Sequence, residues 1–166
     1  MALRPGTPPP LILERLTASH SIAAFSCGDA AIDAFLHTHA LAEQDVGLSS
    51  VQVACEREKP GVVVAYYTIS PISVNVDPRL LAALKIPSDK IQYPRVGGFL
   101  LGRLGVATAL QGQGIGSSLI AIAVEHLSTT GGAFLAIDAK TDRNVASYKK
   151  LGFSQIGNLR RLVLRL

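Results

Sequence analysis

Hydrophobic positions along this 166-residue chain follow two spacings, which separate predicted strands from predicted helices. Alternating or β-rich runs predict strands at residues 11–16, 51–56, 61–70, 99–106, 133–138 and 153–166. Pro71 should interrupt or bend the third of these strands. Apolar residues three and four apart predict helices over 29–40 and 115–127, with shorter ones at 78–85 and 142–151. This order of elements predicts a mixed α/β fold.

Two details of the helices are specific enough to check. Asp29 stands where it can cap the first helix, ahead of an apolar stripe running from Ile32 to Ala40. In the helix over 115–127, one face should carry Ile115, Leu119, Ile122 and His126.

Length and composition favour a single domain over residues 1–166. The hydrophobic fraction is 48% and the mean hydropathy +0.33, yet no apolar run approaches the roughly 20 residues of a membrane span. Residues 1–10 hold four prolines and no apolar segment, so we expect an extended lead-in, not a signal peptide. Cys27 and Cys55 lack metal-ligand spacing, so we expect reduced thiols, a cytoplasmic location and no metal.

Positive charge is concentrated near the end of the chain. The formal net charge is +4, but residues 140–165 hold seven basic side chains and one acidic one. This asymmetry would suit a polyanionic ligand or substrate. The alternative is a solvated basic face that also contacts the phosphates of a coenzyme.

Three glycines in five residues lie between a predicted strand and a predicted helix, in the run from Gln111 to Gly116. Backbone N–H groups uncrowded by Cβ atoms, together with the positive end of the helix, form a pocket suited to phosphate. A dinucleotide fingerprint would need glycine where Ser117 stands, and a Walker loop would need a lysine that is absent here. The alternative is a glycine-rich strand-to-helix turn without a ligand.

The pattern Q-x-x-G-x-G, met by Gln111, Gly114 and Gly116, resembles the pyrophosphate loop of the GNAT acetyltransferases. The segment from Tyr148 to Phe153 resembles the Y-x-x-x-G-F ending of their last helix. A narrower resemblance runs almost the full length, to the GNAT toxins of toxin–antitoxin pairs. It is carried by Phe25-Ser26-Cys27-Gly28, Ile32 to Leu36, Tyr66 to Ser70, Leu101 to Val106, Asp138-Ala139-Lys140 and Leu159 to Leu162.

This resemblance implies a GNAT fold: a mixed central sheet with helices on both faces. It also implies acetyl-CoA as cosubstrate, transfer of acetyl to the α-amino group of aminoacyl-tRNA, and a translation-blocking toxin. Members of the family are neutralised by a small ribbon-helix-helix antitoxin, and a homodimer is implied as well. Two alternatives stay open: a GNAT enzyme acting on a small-molecule amine or a protein N-terminus, and a non-catalytic coenzyme-binding regulatory domain.

Acetyl transfer assigns roles to particular residues. The loop N–H groups should take the coenzyme pyrophosphate, and a strand edge should pair with the pantetheine amides; the residues concerned are Leu104, Gly105, Val106, Gln111, Gly112, Gln113, Gly114, Ile115, Gly116 and Ser117. A strand N–H near Val106 should face the thioester oxygen. Tyr148 is the candidate general acid, since its ordinary pKa of about 10 lies close above that of a leaving thiol.

Two further points concern the helix that carries Tyr148 and the acceptor. Many GNAT enzymes place asparagine seven residues before the catalytic tyrosine, where this chain has Thr141. Asn144, one turn before Tyr148, either takes over a pantetheine contact or is a surface residue. No general base is evident. An α-amine, with a pKa of about 7.7–8.0, needs less base assistance than lysine at about 10.4, which favours an α-amine acceptor.

Overall fold

The computed structural model describes residues 8–166, so residues 1–7 of the expected lead-in lie outside the described part. Seven strands form one sheet in the order β1-β2-β3-β4-β5-β7-β6. The strands are β1 Leu11–Arg15, β2 Ser50–Glu56, β3 Val63–Asn75, β4 Arg95–Val106, β5 Phe134–Asp138, β6 Ser154–Gln155 and β7 Arg161–Arg165. The helices are α1 Ala30–Thr38, α2 Ala40–Asp45, α3 Pro78–Leu84, α4 Ile115–Leu127 and α5 Asp142–Lys150.

The sheet mixes both strand directions. Pairing is antiparallel between β1 and β2, β2 and β3, β5 and β7, and β6 and β7, whereas β4 and β5 are parallel. The mixed α/β prediction is confirmed. None of the helices within residues 8–166 is long and apolar enough to cross a bilayer.

Residue contacts divide the chain into two compact units. The first comprises the residues up to Ile69 together with Arg103–Ile120. Its core consists of residues from α1, α2, β2 and β3, together with Leu16 and Phe25 from the segment between β1 and α1. Gln44 is buried among them, and both polar atoms of its side chain are satisfied. Its amide Nε2 donates to Leu16 C=O at 2.8 Å, and its Oε1 accepts from Val51 N–H at 3.0 Å.

The second unit comprises Ser70–Gly102 and Ala121–Leu166. Its core is built from α3, β4, β5 and β7, with Leu80, Leu84 and Phe134 among the buried residues. Gly98 is needed there, because a Cβ at this position would lie 2.6 Å from the carbonyl oxygen of Phe134. A single domain over residues 1–166 remains a prediction.

Local signals located the helix starts correctly. Asp29 caps α1 by accepting from Ala31 N–H at 3.0 Å and Ile32 N–H at 3.2 Å. The predicted face of α4 was partly wrong. Ile115 and Leu119 are buried as expected, but Ile122 is 40% exposed, and the remaining buried positions are Ile120 and Ala123.

Three other features differ from what the sequence predicted. Strand β3 continues through Pro71 to Asn75. The β2–β3 ladder ends at the Ser50–Ile69 pair, so the missing N–H of Pro71 costs no bond to β2. The predicted last strand over 153–166 is a hairpin of β6 and β7, with Gly157 at φ +56° in the connection. Helix α2 was not predicted separately from α1.

Candidate functional site

The end of β4 is fixed in the first unit by backbone hydrogen bonds. Ala107 N–H donates to Val64 C=O at 2.8 Å, and Thr108 N–H donates to Ser26 C=O at 3.0 Å. A single 3₁₀ turn, Thr108–Leu110, then leads into the glycine loop. The loop therefore starts from a defined position on the sheet.

The glycine loop presents a row of backbone donors. Gly112 and Gly114 have φ of +76° and +80°, in the left-handed region that glycine adopts without strain. The first backbone bond of α4 runs from Ser118 N–H to Gly114 C=O at 3.0 Å. Among residues 8–166, no acceptor takes the N–H groups from Gly112 to Ser117. These donors, at the positive end of a helix, fit a phosphate or pyrophosphate.

The Gln111 side chain anchors this loop to the end of β4 by hydrogen bonds. Its side-chain Nε2 donates to Cys27 C=O at 2.7 Å and to Val106 C=O at 2.9 Å. The amide is therefore engaged by the protein backbone. The sequence placed Gln111 in the loop but did not reveal this role, since its partner Cys27 is 84 residues away.

The strand residues predicted beside the loop point to two faces of β4. On one face, a Cβ at Gly105 would lie 2.9 Å from Ile32 and 3.2 Å from Tyr66. On the other, a Cβ at Gly116 would lie 3.6 Å from Leu104 and 4.0 Å from Val106, so the start of α4 packs there. In the first unit, α1 and the start of α4 thus lie on opposite faces of this strand. The Ile115 side chain is buried, which leaves only its N–H group to the loop.

Tyr148 lies in the second unit, in the last turn of α5. Its ring centroid is 6.1 Å from that of Phe153. Burial raises the pKa of Tyr148, and the positive charge of Lys140 offsets part of this effect. No residue within 8–166 hydrogen-bonds its hydroxyl group, so the proton is available to a bound reactant.

Helix α5 begins at a cap in which Thr141 bonds both the backbone and the side chain of Asn144. Thr141 Oγ1 accepts from Asn144 N–H at 3.2 Å, and its hydroxyl donates to Asn144 Oδ1 at 2.9 Å. The side-chain oxygen of Asn144 is thus engaged with Thr141. Its amide nitrogen remains the donor for the predicted pantetheine contact, which stays a prediction.

Part of the chain matches a known protein family. A family model for the acetyltransferase (GNAT) domain matches residues 91–161. This match covers 71 of the 166 residues. Together with the structural similarity described next, it confirms the expected GNAT fold.

Solved structures of GNAT toxins are similar over nearly the whole chain. AtaT complexed with acetyl-methionyl-tRNAfMet is 28% identical with a TM-score of 0.80, covering 94% of this chain and 95% of that one. AtaTR bound with AcCoA is 28% identical with a TM-score of 0.77 and 93% of both chains covered. A tyrosine-to-phenylalanine mutant of KacT is 25% identical with a TM-score of 0.81, covering 93% and 94%. The expected resemblance to GNAT toxins is confirmed.

The first unit also brings together Glu14, His20 and Cys55, whose ligand atoms all lie within 4.8 Å of one another. Sequence spacing did not predict this group. His20 Nδ1 accepts from Thr17 N–H at 3.0 Å, so the neutral ring carries its proton on Nε2, which donates to Glu14 at 2.8 Å. A metal ion would have to displace that proton, so the group is a hydrogen-bonded pair beside a buried thiol.

The second unit contains a cleft of about 640 Å³ that the sequence did not indicate. It is lined by Tyr93, Phe99 and several glycines. Packing explains two of them, because a Cβ at Gly98 would lie 2.6 Å from the Phe134 carbonyl oxygen and one at Gly132 would lie 2.8 Å from the Phe99 ring. Tyr148 does not line this cleft.

Proposed function

We propose that this protein is an acetyl-CoA-dependent N-acetyltransferase that acetylates the α-amino group of aminoacyl-tRNA in the cytoplasm and thereby stops translation. The observation that carries the proposal is the row of N–H donors from Gly112 to Ser117 at the start of α4. The substrates are inferred from two similar structures, of which one is complexed with acetyl-methionyl-tRNAfMet and the other is bound with AcCoA. Each is 28% identical to this chain over at least 93% of its length.

In this proposal the coenzyme supplies an acetyl group activated as a thioester. The loop N–H groups hold its pyrophosphate, and helix α4 adds the field of its positive end, about 0.3–1 kcal/mol for a well-placed charge. The strand edge at Leu104, Gly105 and Val106 pairs with the pantetheine amides, with Asn144 as a further donor. An N–H group near Val106 stabilises the negative charge that develops on the carbonyl oxygen.

Tyr148 completes the proton balance. The neutral amine forms the new C–N bond as the C–S bond breaks, and the amine then loses a proton to solvent. The Tyr148 hydroxyl donates its proton to the departing thiolate. Its raised pKa keeps that proton in place until the thiolate forms. An α-amine is suited to this arrangement because much of it is already neutral near pH 7.

The deciding experiment incubates the purified protein with radiolabelled acetyl-CoA and total charged tRNA. Deacylated tRNA and polyamines serve as alternative acceptors. We expect label on charged tRNA alone, and a large loss of label with Tyr148→Phe. The matched control is Tyr93→Phe, since Tyr93 is 75% exposed and has no part in the proposal. Label on polyamines would favour the small-molecule enzyme, and coenzyme binding without transfer would favour a regulatory domain.

A ribbon-helix-helix antitoxin is the proposed protein partner. One similar structure is an AtaT mutant toxin bound to the C-terminus of the antitoxin AtaR, at 26% identity and a TM-score of 0.74. We expect expression of this protein to arrest growth, and co-expression of a small DNA-binding protein encoded beside it to relieve the arrest. A homodimer is part of the same proposal, and light scattering of the purified protein measures it directly.

A further inference from the structure

Arg103 occupies the α1 face of β4 in the first unit, opposite the glycine loop. Successive residues of a strand point to opposite faces, so Arg103 shares a face with Gly105. The Gly105 position abuts Ile32, Phe25 and Tyr66, which places this face against α1 and its aromatic neighbours.

An aromatic platform holds the guanidinium. The Arg103 Cζ atom lies 3.7 Å from the centroid of the Phe35 ring, in cation–π geometry. Phe35 is in turn stacked with Tyr66, at 6.4 Å between centroids and 13° between planes. Tyr66 is itself fixed, because its hydroxyl donates to Ile32 C=O at 2.7 Å. The platform therefore fixes the guanidinium plane on a buried, rigid support.

The donors of this guanidinium have no protein acceptor. Within residues 8–166, the Arg103 side chain forms no hydrogen bond and no ion pair. The side chain is only partly exposed, but within residues 8–166 no unpaired side-chain nitrogen is buried, so the guanidinium donors of Arg103 reach solvent and are open to a ligand. A planar fork of N–H donors is suited to the paired oxygens of a phosphate.

We infer that Arg103, supported by Phe35, binds the backbone phosphate next to the aminoacylated end of the tRNA acceptor. This inference rests on the proposed function. The pyrophosphate of the coenzyme is assigned to the opposite face of β4, so it does not compete for Arg103. About eight bonds separate the reacting α-amine from that phosphate, roughly 10 Å when extended. Arg103 lies three strand residues before Val106, which is also about 10 Å.

The first test measures binding of uncharged tRNA, which does not depend on catalysis. We expect Arg103→Gln to weaken binding about tenfold, and to lower the slope of log affinity against log salt concentration by about 0.7. The tRNA affinity of Arg103→Lys should fall between those of the wild-type protein and Arg103→Gln, because lysine keeps the charge but not the planar fork of donors. The control is Arg15→Gln, which removes the same charge from an exposed strand position and should leave binding unchanged.

The second test separates the phosphate from the rest of the acceptor. With charged tRNA, Arg103→Gln should raise KM for tRNA about tenfold and leave KM for acetyl-CoA unchanged. With an aminoacyl-adenosine, which lacks the phosphate, the wild-type protein and the variant should perform equally. An equal loss on both acceptors would overturn the inference, as would a wild-type protein and Arg103→Gln variant with the same tRNA affinity. Arg103-dependent tRNA binding without acetyl transfer would refute the proposed function alone.

Discussion

Removing the Gln111 side chain should weaken coenzyme binding even though that side chain points at the protein. Its amide joins Cys27 C=O and Val106 C=O, which lie on separate segments, and so fixes the start of the glycine loop. Gln111→Ala leaves the backbone donors of the loop in place but removes both bonds that orient them. The loss should therefore appear in affinity for CoA, because the free protein would populate loop positions that cannot bind.

The size of the effect follows from the two bonds. A neutral hydrogen bond contributes about 1 kcal/mol net, so both together give about 2 kcal/mol, or about 30-fold in Kd. Gln111 is exposed, so water replaces part of this contribution and we expect an increase in Kd of about 3- to 30-fold. Gln111→Glu should be worse, since its carboxylate has no donor to offer and would face two carbonyl oxygens.

Isothermal titration of CoA into each variant measures the effect. Gln113→Ala is the matched control, because Gln113 lies in the same loop and its side chain forms no hydrogen bond with residues 8–166. Thermal melting of every variant shows whether the fold is retained. Wild-type affinity in Gln111→Ala would refute the reasoning, and so would an equal loss in Gln113→Ala, which would show that any change in the loop has the same effect.

Three further predictions concern stability and pH. Gly98→Ala should lower the free energy of unfolding by about 1–3 kcal/mol in urea, because its Cβ would meet the Phe134 carbonyl, whereas Gly97→Ala has open space and should change little. Because burial raises the pKa of Tyr148, its acid form persists above the ordinary pH of about 10, so the alkaline limb of kcat should lie above that value; a limb below it would contradict the proposed role. The hydrogen bond from Cys27 N–H lowers the pKa of Asp33, so its stabilisation is present above the ordinary 3.8 and is lost as the pH falls through the folded-state value; Asp33→Asn should flatten acid unfolding in that range.

Features set by a few neighbouring residues could be predicted from the sequence. The cap at Asp29 and the glycine turn at Gly112 and Gly114 depend on local backbone preferences, and both are where the sequence placed them. The exposed face of α4 could not be predicted in the same way. Ile122 has the right spacing for burial, but which apolar positions are covered depends on the elements packed around the helix.

Features that join distant segments were not predictable. Strand β3 passes through Pro71 because its partner β2 has already ended, which a local pattern cannot show. The bond from Gln111 to Cys27 and the placement of Arg103 on Phe35 likewise require the folded first unit. The sequence therefore indicated local backbone features better than it indicated which side chains contact one another.

The two anion sites proposed here differ in which part of the chain recognises the ligand. At the glycine loop the donors are backbone N–H groups, so most side-chain changes there act only through loop position, as with Gln111. At Arg103 the donors belong to one side chain on an aromatic support, so a single substitution removes them. Coenzyme binding should therefore tolerate changes along the loop that preserve its glycines and Gln111. Acceptor binding should depend on a few side chains of the opposite strand face, where a change of substrate requires few mutations.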